Sequence, residues 1–203
     1  MKLPYEIYYF IKTFIFKPTQ NNELKNAINI WCENKNKALE LYGHISTWDT
    51  SLITDMNKLF LHKSKFNDDI SNWNVSNVKS MFGMFIHAEI FNQPINNWNV
   101  SNVTDMRHMF YKALLFNQNL NNWNVSKVTN MGWMFTNCNN FNQPLNNWDV
   151  SNVKRMNHMF SNVKSFNQYI GNWNISKVID FRCIFAGAKS FNFSNKKWNI
   201  NTI

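Results

Sequence analysis

One column of the sequence, repeated every 25 residues, collects side chains that could bind metals or partners. Its members are Lys58, Gly83, His108, Trp133, His158 and Cys183. Stacked units would bring His158 close to Cys183, and both are types of zinc ligand, but a zinc site needs more than two ligands. His62 and His87 form a similar pair. No Ser-His-Asp set, H-E-x-x-H motif or glycine-rich phosphate loop accompanies them. We therefore predict no metal, no cofactor and no catalytic residue, and hence no enzyme.

The same period of 25 residues governs the apolar positions. Tryptophan recurs without an insertion at Trp48, Trp73, Trp98, Trp123, Trp148, Trp173 and Trp198. Two phenylalanine columns and one methionine column keep this spacing, beginning at Phe60, Phe66 and Met56. An insertion would move every column out of register with the next unit, so this regularity indicates units stacked around a shared core.

Two shorter periods inside each unit predict its secondary structure. Trp123 and Val125 alternate as in a short strand, whereas Met131, Met134 and Phe135 recur at i, i+3 and i+4, as on one helical turn. We therefore predict an α/β repeat solenoid, leucine-rich-repeat-like, with one short parallel strand and about one helical turn per unit. The asparagine column that begins at Asn67 is expected to bond between units or at corners.

The chain divides into three segments. Residues 1–20 form an apolar N-terminal segment, and residues 21–43 are predicted to form an N-terminal capping helix that ends at Gly43. Residues 44–203 are the solenoid of 25-residue repeats. No second cap follows Trp198, so we expect the last turn to stay exposed or to make end-to-end contacts.

Composition restricts the partners and the compartment. Lys and Arg outnumber Asp and Glu by 21 to 12, but the lysines are scattered, so we expect no nucleic-acid partner. The apolar stretch over residues 5–16 is too short to span a bilayer and has no signal-peptide cleavage site. Three cysteines fit neither a disulfide framework nor a zinc module. We predict the cytoplasm or another reducing compartment, with the cell surface as the alternative.

The unit FNQPLNNWDVSNVKRMNHMF, from Phe141 to Phe160, resembles the 25-residue repeat of the BspA-like surface proteins, the type found in mycoplasma surface lipoproteins. The resemblance covers roughly residues 44 to 203. It implies a leucine-rich-repeat-like fold with a role in adhesion or protein binding, and no catalytic residues. The chain departs from the family pattern after the tryptophan, where Asp is present only at Asp49 and Asp149 and Asn stands elsewhere.

The first residues are similar to the opening helix of an F-box, the segment that docks substrate receptors on a ubiquitin-ligase adaptor. The candidate docking residues are Leu3, Pro4, Ile7 and Ile11. This similarity implies an alternative function, an F-box-like substrate receptor whose solenoid binds the substrate. A plain apolar helix packed beside the cap is the other interpretation of this segment.

The variable positions of the unit are the candidates for contact with a partner. They are Lys58, Arg107, His108, Trp133, His158 and Arg182. The leading hypothesis is a non-enzymatic module for protein–protein interaction or adhesion, with another protein as its partner.

Overall fold

The computed structural model describes residues 15–192, and its helices precede the repeats. Helix α1 spans Asn21–Glu33, α2 spans Lys35–Tyr42, and a 3-10 turn covers Ile45–Thr47. The predicted single helix over residues 21–43 is therefore two helices. Asn34 separates them, because its backbone is non-helical (φ −146°, ψ 87°) and its side chain caps α2 by accepting from the N–H of Lys37.

Two predicted features lie outside the described residues. The F-box-like docking residues Leu3, Pro4, Ile7 and Ile11 precede the described part of the chain, and the last turn around Trp198 follows it.

The predicted α/β solenoid of the leucine-rich-repeat kind is wrong. From residue 48 to residue 192 the structure contains neither a strand nor a helix, and successive units are joined by isolated parallel bridges. These bridges are Asp55–Ser80, Ser80–Asp105, Asp105–Asn130, Asn130–Arg155 and Arg155–Asp180. The physical reason is backbone conformation, since two residues in each unit have a positive φ, which neither an α-helix nor a β-strand contains.

The residues with positive φ occupy two columns, four residues apart. The first column is Lys58, Gly83, His108, Trp133, His158 and Cys183, and the second is His62, His87, Lys112, Asn137, Asn162 and Gly187. Around Trp133, the N–H of Met134 bonds to the carbonyl of Met131, which closes a turn whose third residue has φ 62°. This is the pattern of a type II turn. Consecutive turns, rather than a helix, therefore produce the i, i+3, i+4 spacing.

We call each 25-residue unit a layer. Layers 1 to 5 comprise residues 48–72, 73–97, 98–122, 123–147 and 148–172, and layer 6 begins at residue 173. Alternate N–H groups of one layer donate to carbonyls of the next, as Trp133 does to Asn157 at 2.8 Å and Phe135 to Met159 at 3.0 Å. The layers are thus hydrogen-bonded in parallel without strand geometry.

The core consists of aromatic stacks that run through the layers. The rings of Phe85, Phe110 and Phe135 lie 5.6 Å apart and nearly parallel. A second phenylalanine packs beside each within its own layer, as Phe116 does on Phe110 at 4.0 Å. The tryptophan, methionine and valine columns are buried around these rings in layers 1 to 5. The prediction that the apolar columns form the core is confirmed.

Hydrogen bonds from tryptophan and asparagine fix each layer on the one before it. The indole Nε1 of Trp123 donates to the carbonyl of Ile95, 28 residues earlier, and the other core tryptophans from Trp73 onward repeat this bond. The N–H of Asn142 donates to Oδ1 of Asn117 at 2.9 Å, and the rest of that asparagine column does the same. The predicted bonding of this column between units is confirmed.

The alternation of Asp and Asn after the tryptophan does not alter the local structure. Oδ1 of Asn124 accepts the N–H of Ser126, and Oδ1 of Asp149 accepts the N–H of Ser151 in the same way. Either side chain therefore closes this small turn.

Candidate interaction surface

The turns of layers 1 to 5 place seven side chains in one continuous cluster. We call this cluster the aromatic-basic ladder: Lys58, Phe82, Arg107, His108, Tyr111, Trp133 and His158. Six of them come from the two positions between the methionine columns in layers 1 to 5, and Tyr111 follows the core residue Phe110. The ladder therefore follows the stacking direction of the layers.

Positive φ explains why four of these side chains, those of Lys58, His108, Trp133 and His158, leave the core. Trp133 lies next to Met134, which is fully buried, yet Trp133 itself is only partly buried. In a helix or a strand, the directions of neighbouring side chains follow one regular period. A single residue of left-handed backbone breaks that period and directs its side chain away from the buried methionine.

A sandwich of three rings forms the centre of the ladder. The Trp133 ring is stacked on His158 at 3.7 Å, with 17° between the planes, and on His108 at 5.7 Å, with 12°. Because the two histidines belong to layers 5 and 3, they cover opposite faces of the indole. Tyr111 approaches His108 edge-on, with 5.6 Å between the ring centroids.

Cations lie over the remaining rings. Lys58 Nζ and Arg107 Cζ each lie 5.1 Å from the centroid of Phe82. Lys112 Nζ lies 5.6 Å from the centroid of Tyr111. Such contacts contribute about 0.5–1 kcal/mol each at exposed sites, so they hold these flexible side chains along the ladder.

The charges of this surface are mostly positive and only partly paired. Arg107 forms a salt bridge of 2.7 Å with Asp105, and Arg182 forms one of 2.9 Å with Asp180. Within residues 15–192, Lys58, Lys112 and Arg155 have no carboxylate partner at salt-bridge distance.

The electrostatic environment keeps the ladder histidine His108 neutral near pH 7. Desolvation, together with the neighbouring Arg107 guanidinium, lowers the pKa of His108. The ring beside the ladder behaves similarly, since desolvation and the ammonium of Lys112 lower the pKa of His87. Neutral imidazoles present both a donor and an acceptor nitrogen.

The aromatic character of this surface is confined to the middle layers. In the column of Phe82, layers 1 and 5 carry Asn57 and Asn157. In the column of Tyr111, layers 5 and 6 carry Ser161 and Ala186. One column of exposed aliphatic residues shows the same distribution, because it carries Ile90 and Leu115 in layers 2 and 3 but Asn140, Ser165 and Ser190 in the later layers.

Five of the six residues predicted from the sequence lie in the ladder. They are Lys58, Arg107, His108, Trp133 and His158. Arg182 is separate, since it lies in layer 6 and pairs with Asp180. Sequence reasoning missed Phe82 and Tyr111. For Phe82 the signal was an aromatic residue in a column that is otherwise polar or small. The column of Tyr111 also carries Leu61 and Ile86, so it offered no such signal.

The histidine and cysteine pairs do not form a metal site in the described part of the chain. No group of three or more His, Cys, Asp or Glu side chains there could hold an ion. His62 and His87 do meet, with their rings 5.0 Å apart. They have no set of further ligands around them.

A cleft lies between α1 and layer 1, apart from the ladder. This cleft has a volume of about 470 Å³ and is lined by Trp31, Cys32, Lys63 and Asp68, among others. Its carboxylates are paired within the protein, because Asp68 accepts from Trp31 Nε1 and pairs with Lys35, and Glu33 lies 3.8 Å from Lys63. Desolvation raises the pKa of Cys32 to about 11, so its thiol is a poor nucleophile. The residues that line this cleft therefore attach the capping helices to layer 1.

One known protein family matches most of the chain. Residues 29–138 and residues 116–203 each match the model described as "Mycoplasma protein of unknown function, DUF285". The chain belongs to this family. No function is attached to the DUF285 family, so membership alone assigns no activity. No curated protein and no solved structure matches the chain. Within residues 15–192, no helix has the length and apolar character needed to cross a membrane.

Proposed function

We propose that this protein is a non-enzymatic binding module that docks another protein on the aromatic-basic ladder. The observation that carries the proposal is the cluster of three partly exposed aromatic residues, Phe82, Tyr111 and Trp133, that layers 2 to 4 bring together in the ladder. The core explains why the apolar columns repeat, but it does not explain Phe82, Tyr111 and Trp133. Aromatic and arginine side chains with a polar rim are the usual composition of a protein-binding hot spot.

The resemblance of the repeat to BspA-like surface proteins supports the same proposal, since it implies adhesion or protein binding. A reducing compartment is part of the proposal, because all three cysteines are free and Cys138 is buried.

The test replaces the three aromatic anchors by residues that the fold already accepts at the same positions of layer 5. The ladder variant carries Phe82→Asn, Tyr111→Ser and Trp133→His, which copy Asn157, Ser161 and His158. The control variant carries Leu52→Asn, Tyr169→Asn and Ile179→Thr. These are exposed apolar residues of other columns, and each replacement occurs elsewhere in its own column.

Immobilised full-length chains of all three kinds are incubated with lysate of the cells that produce the protein, and bound proteins are quantified by mass spectrometry. We expect at least one protein to be retained by the wild type and the control and reduced about tenfold or more on the ladder variant, as for the loss of a hot spot. Equal recovery of every bound protein by the ladder variant would refute the proposal.

A further inference from the structure

The ladder also indicates what kind of partner it fits, an inference that rests on the proposed function. Its central ring has no free face, since His108 and His158 stack on opposite sides of Trp133. A nucleic-acid base or a sugar ring could not stack on this indole without displacing a histidine. What the ladder offers a partner is therefore ring edges, N–H groups and cations.

The indole N–H of Trp133 is an available hydrogen-bond donor. Seven of the eight tryptophans in residues 15–192 donate Nε1 to an acceptor of the protein, and Trp133 is the exception. No buried side-chain nitrogen or oxygen in this range lacks a partner, so the partly buried Trp133 must have its Nε1 open to solvent. A partner's oxygen can accept this bond.

The nearby cations also lack acceptors. Lys58 and Lys112 lie over rings of the ladder but pair with no carboxylate, and Arg155 of layer 5 is exposed without a salt bridge. The whole chain carries a formal net charge of +9. Indole, ammonium and guanidinium donors on one surface are complementary to carboxylates.

We propose that the ladder binds an extended acidic segment of its partner, rich in Asp or Glu. From Lys58 in layer 1 to His158 in layer 5 the ladder crosses four layer spacings, about 19 Å at ~4.8 Å each. An extended chain covers that distance with about six residues at ~3.3 Å per residue. The charge surplus and the open indole N–H favour a carboxylate-bearing peptide over a nucleic acid, whose bases would need free aromatic faces.

The test measures binding of three fluorescein-labelled probes to the full-length protein by fluorescence anisotropy. The probes are octaglutamate, octalysine and a single-stranded oligothymidylate of eight nucleotides. We expect octaglutamate to bind, with an affinity that falls as salt concentration rises, and octalysine not to bind. Tighter binding of the oligothymidylate than of octaglutamate would overturn the proposal in favour of a nucleic-acid surface.

Two double variants with the same change of net charge locate the binding. Lys58→Gln with Lys112→Gln should weaken octaglutamate binding about threefold to tenfold, by the magnitude of exposed ion pairs. Lys127→Gln with Lys177→Gln, in another column, should leave binding unchanged. This pair is a matched control, because its ammonium groups contact only the amide oxygens of Asn102 and Asn152. Trp133→Phe keeps a ring but removes the donor, and should also weaken binding.

Failure of this inference is distinguishable from failure of the proposed function. Equal weakening by both lysine pairs, or no binding of octaglutamate, would overturn the acidic segment as the ligand. The docking role would still stand if the triple ladder variant loses its protein partner.

Discussion

The tryptophan Nε1 bonds between layers predict a large contrast between two tryptophans of the same layer. Trp123 is 2% exposed and donates to the carbonyl of Ile95 at 3.0 Å, whereas Trp133 is on the surface and donates to no group of the described chain. The same substitution, Trp→Phe, therefore removes a buried interlayer bond in one case and only a solvent-facing donor in the other.

The magnitude for Trp123→Phe follows from three contributions. The lost hydrogen bond is worth about 1 kcal/mol, at the modest end because the Ile95 carbonyl still accepts the N–H of Trp98. The smaller ring buries about 40 Å² less apolar surface, or ~1 kcal/mol at ~25 cal/mol per Å². A residual cavity of up to about 35 Å³ adds at most ~0.8 kcal/mol. The free energy of unfolding should fall by about 2–3 kcal/mol.

For a chain of this size, this loss corresponds to a Tm lower by about 4–12 °C, which far-UV circular dichroism melts would measure. Trp133→Phe should lower Tm by less than about 3 °C, since it removes no hydrogen bond within the described chain and only weakens the stacking of a partly exposed ring on His108 and His158. Equal shifts for the two variants would refute the reasoning that the indole N–H bonds hold the layers together.

Three further predictions concern the asparagine column, the left-handed turns and the pH dependence of the ion pair between Lys17 and Asp49. Asn117→Ala leaves the N–H of Asn142 without its acceptor and should cost about 1–2 kcal/mol in urea unfolding, whereas Asn117→Asp keeps the acceptor and most of the stability. Lys112→Gly should stabilise the protein in thermal melts by about 0.5–1 kcal/mol, because glycine adopts φ 57° freely, while Lys112→Ala should not. Hydrogen bonds from Lys17 and Ser51 lower the pKa of Asp49 to about 2, so its contribution to stability is complete above about pH 4 and is lost as the pH falls towards 2. Acid titration of the wild type and of Asp49→Asn by circular dichroism should show a smaller acid-induced loss in the variant.

Each of these predictions has an outcome that contradicts it. A loss of stability in Asn117→Asp at neutral pH equal to that in Asn117→Ala would mean that the amide acceptor is not what matters. Stabilisation by Lys112→Ala as large as by Lys112→Gly would assign the effect to the lysine side chain instead of the backbone. An unchanged acid profile in Asp49→Asn would exclude the pair with Lys17 as a source of pH dependence.

The core could be predicted from the sequence because every apolar position recurs with its own type. Columns such as that of Phe110 stack on themselves, so the repeat itself identifies the contacts between layers. The secondary structure could not be predicted in this way. Alternation at Trp123 and Val125, and the spacing of Met131 and Met134, also arise when tight turns return side chains to a core.

The left-handed positions are the main reason for the error. Positive φ is usually marked by glycine, but only Gly83 and Gly187 mark the two columns here. Lysine, histidine and tryptophan occupy the same conformation in the other layers, held there by the interlayer bonds on both sides. A propensity argument has no means of anticipating a conformation that only the neighbouring layers impose.

The sequence predicted only part of the candidate surface, because the phase of a residue in the repeat identifies only some of its contacts. Variation between the methionines directed attention to His108 and Trp133, whose stacking follows from their equal phase in successive layers. Tyr111 belongs to a different phase of the repeat, and its contact with His108 depends on the path of the turn between them. That path is a property of the backbone fold, so sequence phase alone could not supply it.

The parallel bonding of layers has a consequence for how such a gene can change. The backbone bonds between layers that involve described residues connect each layer only with its immediate neighbours. Unequal recombination between the repeated coding units would therefore add or remove a whole layer while leaving every remaining column in register. The stack could lengthen or shorten in single evolutionary steps, and a layer that carries part of the ladder could be copied together with its binding groups.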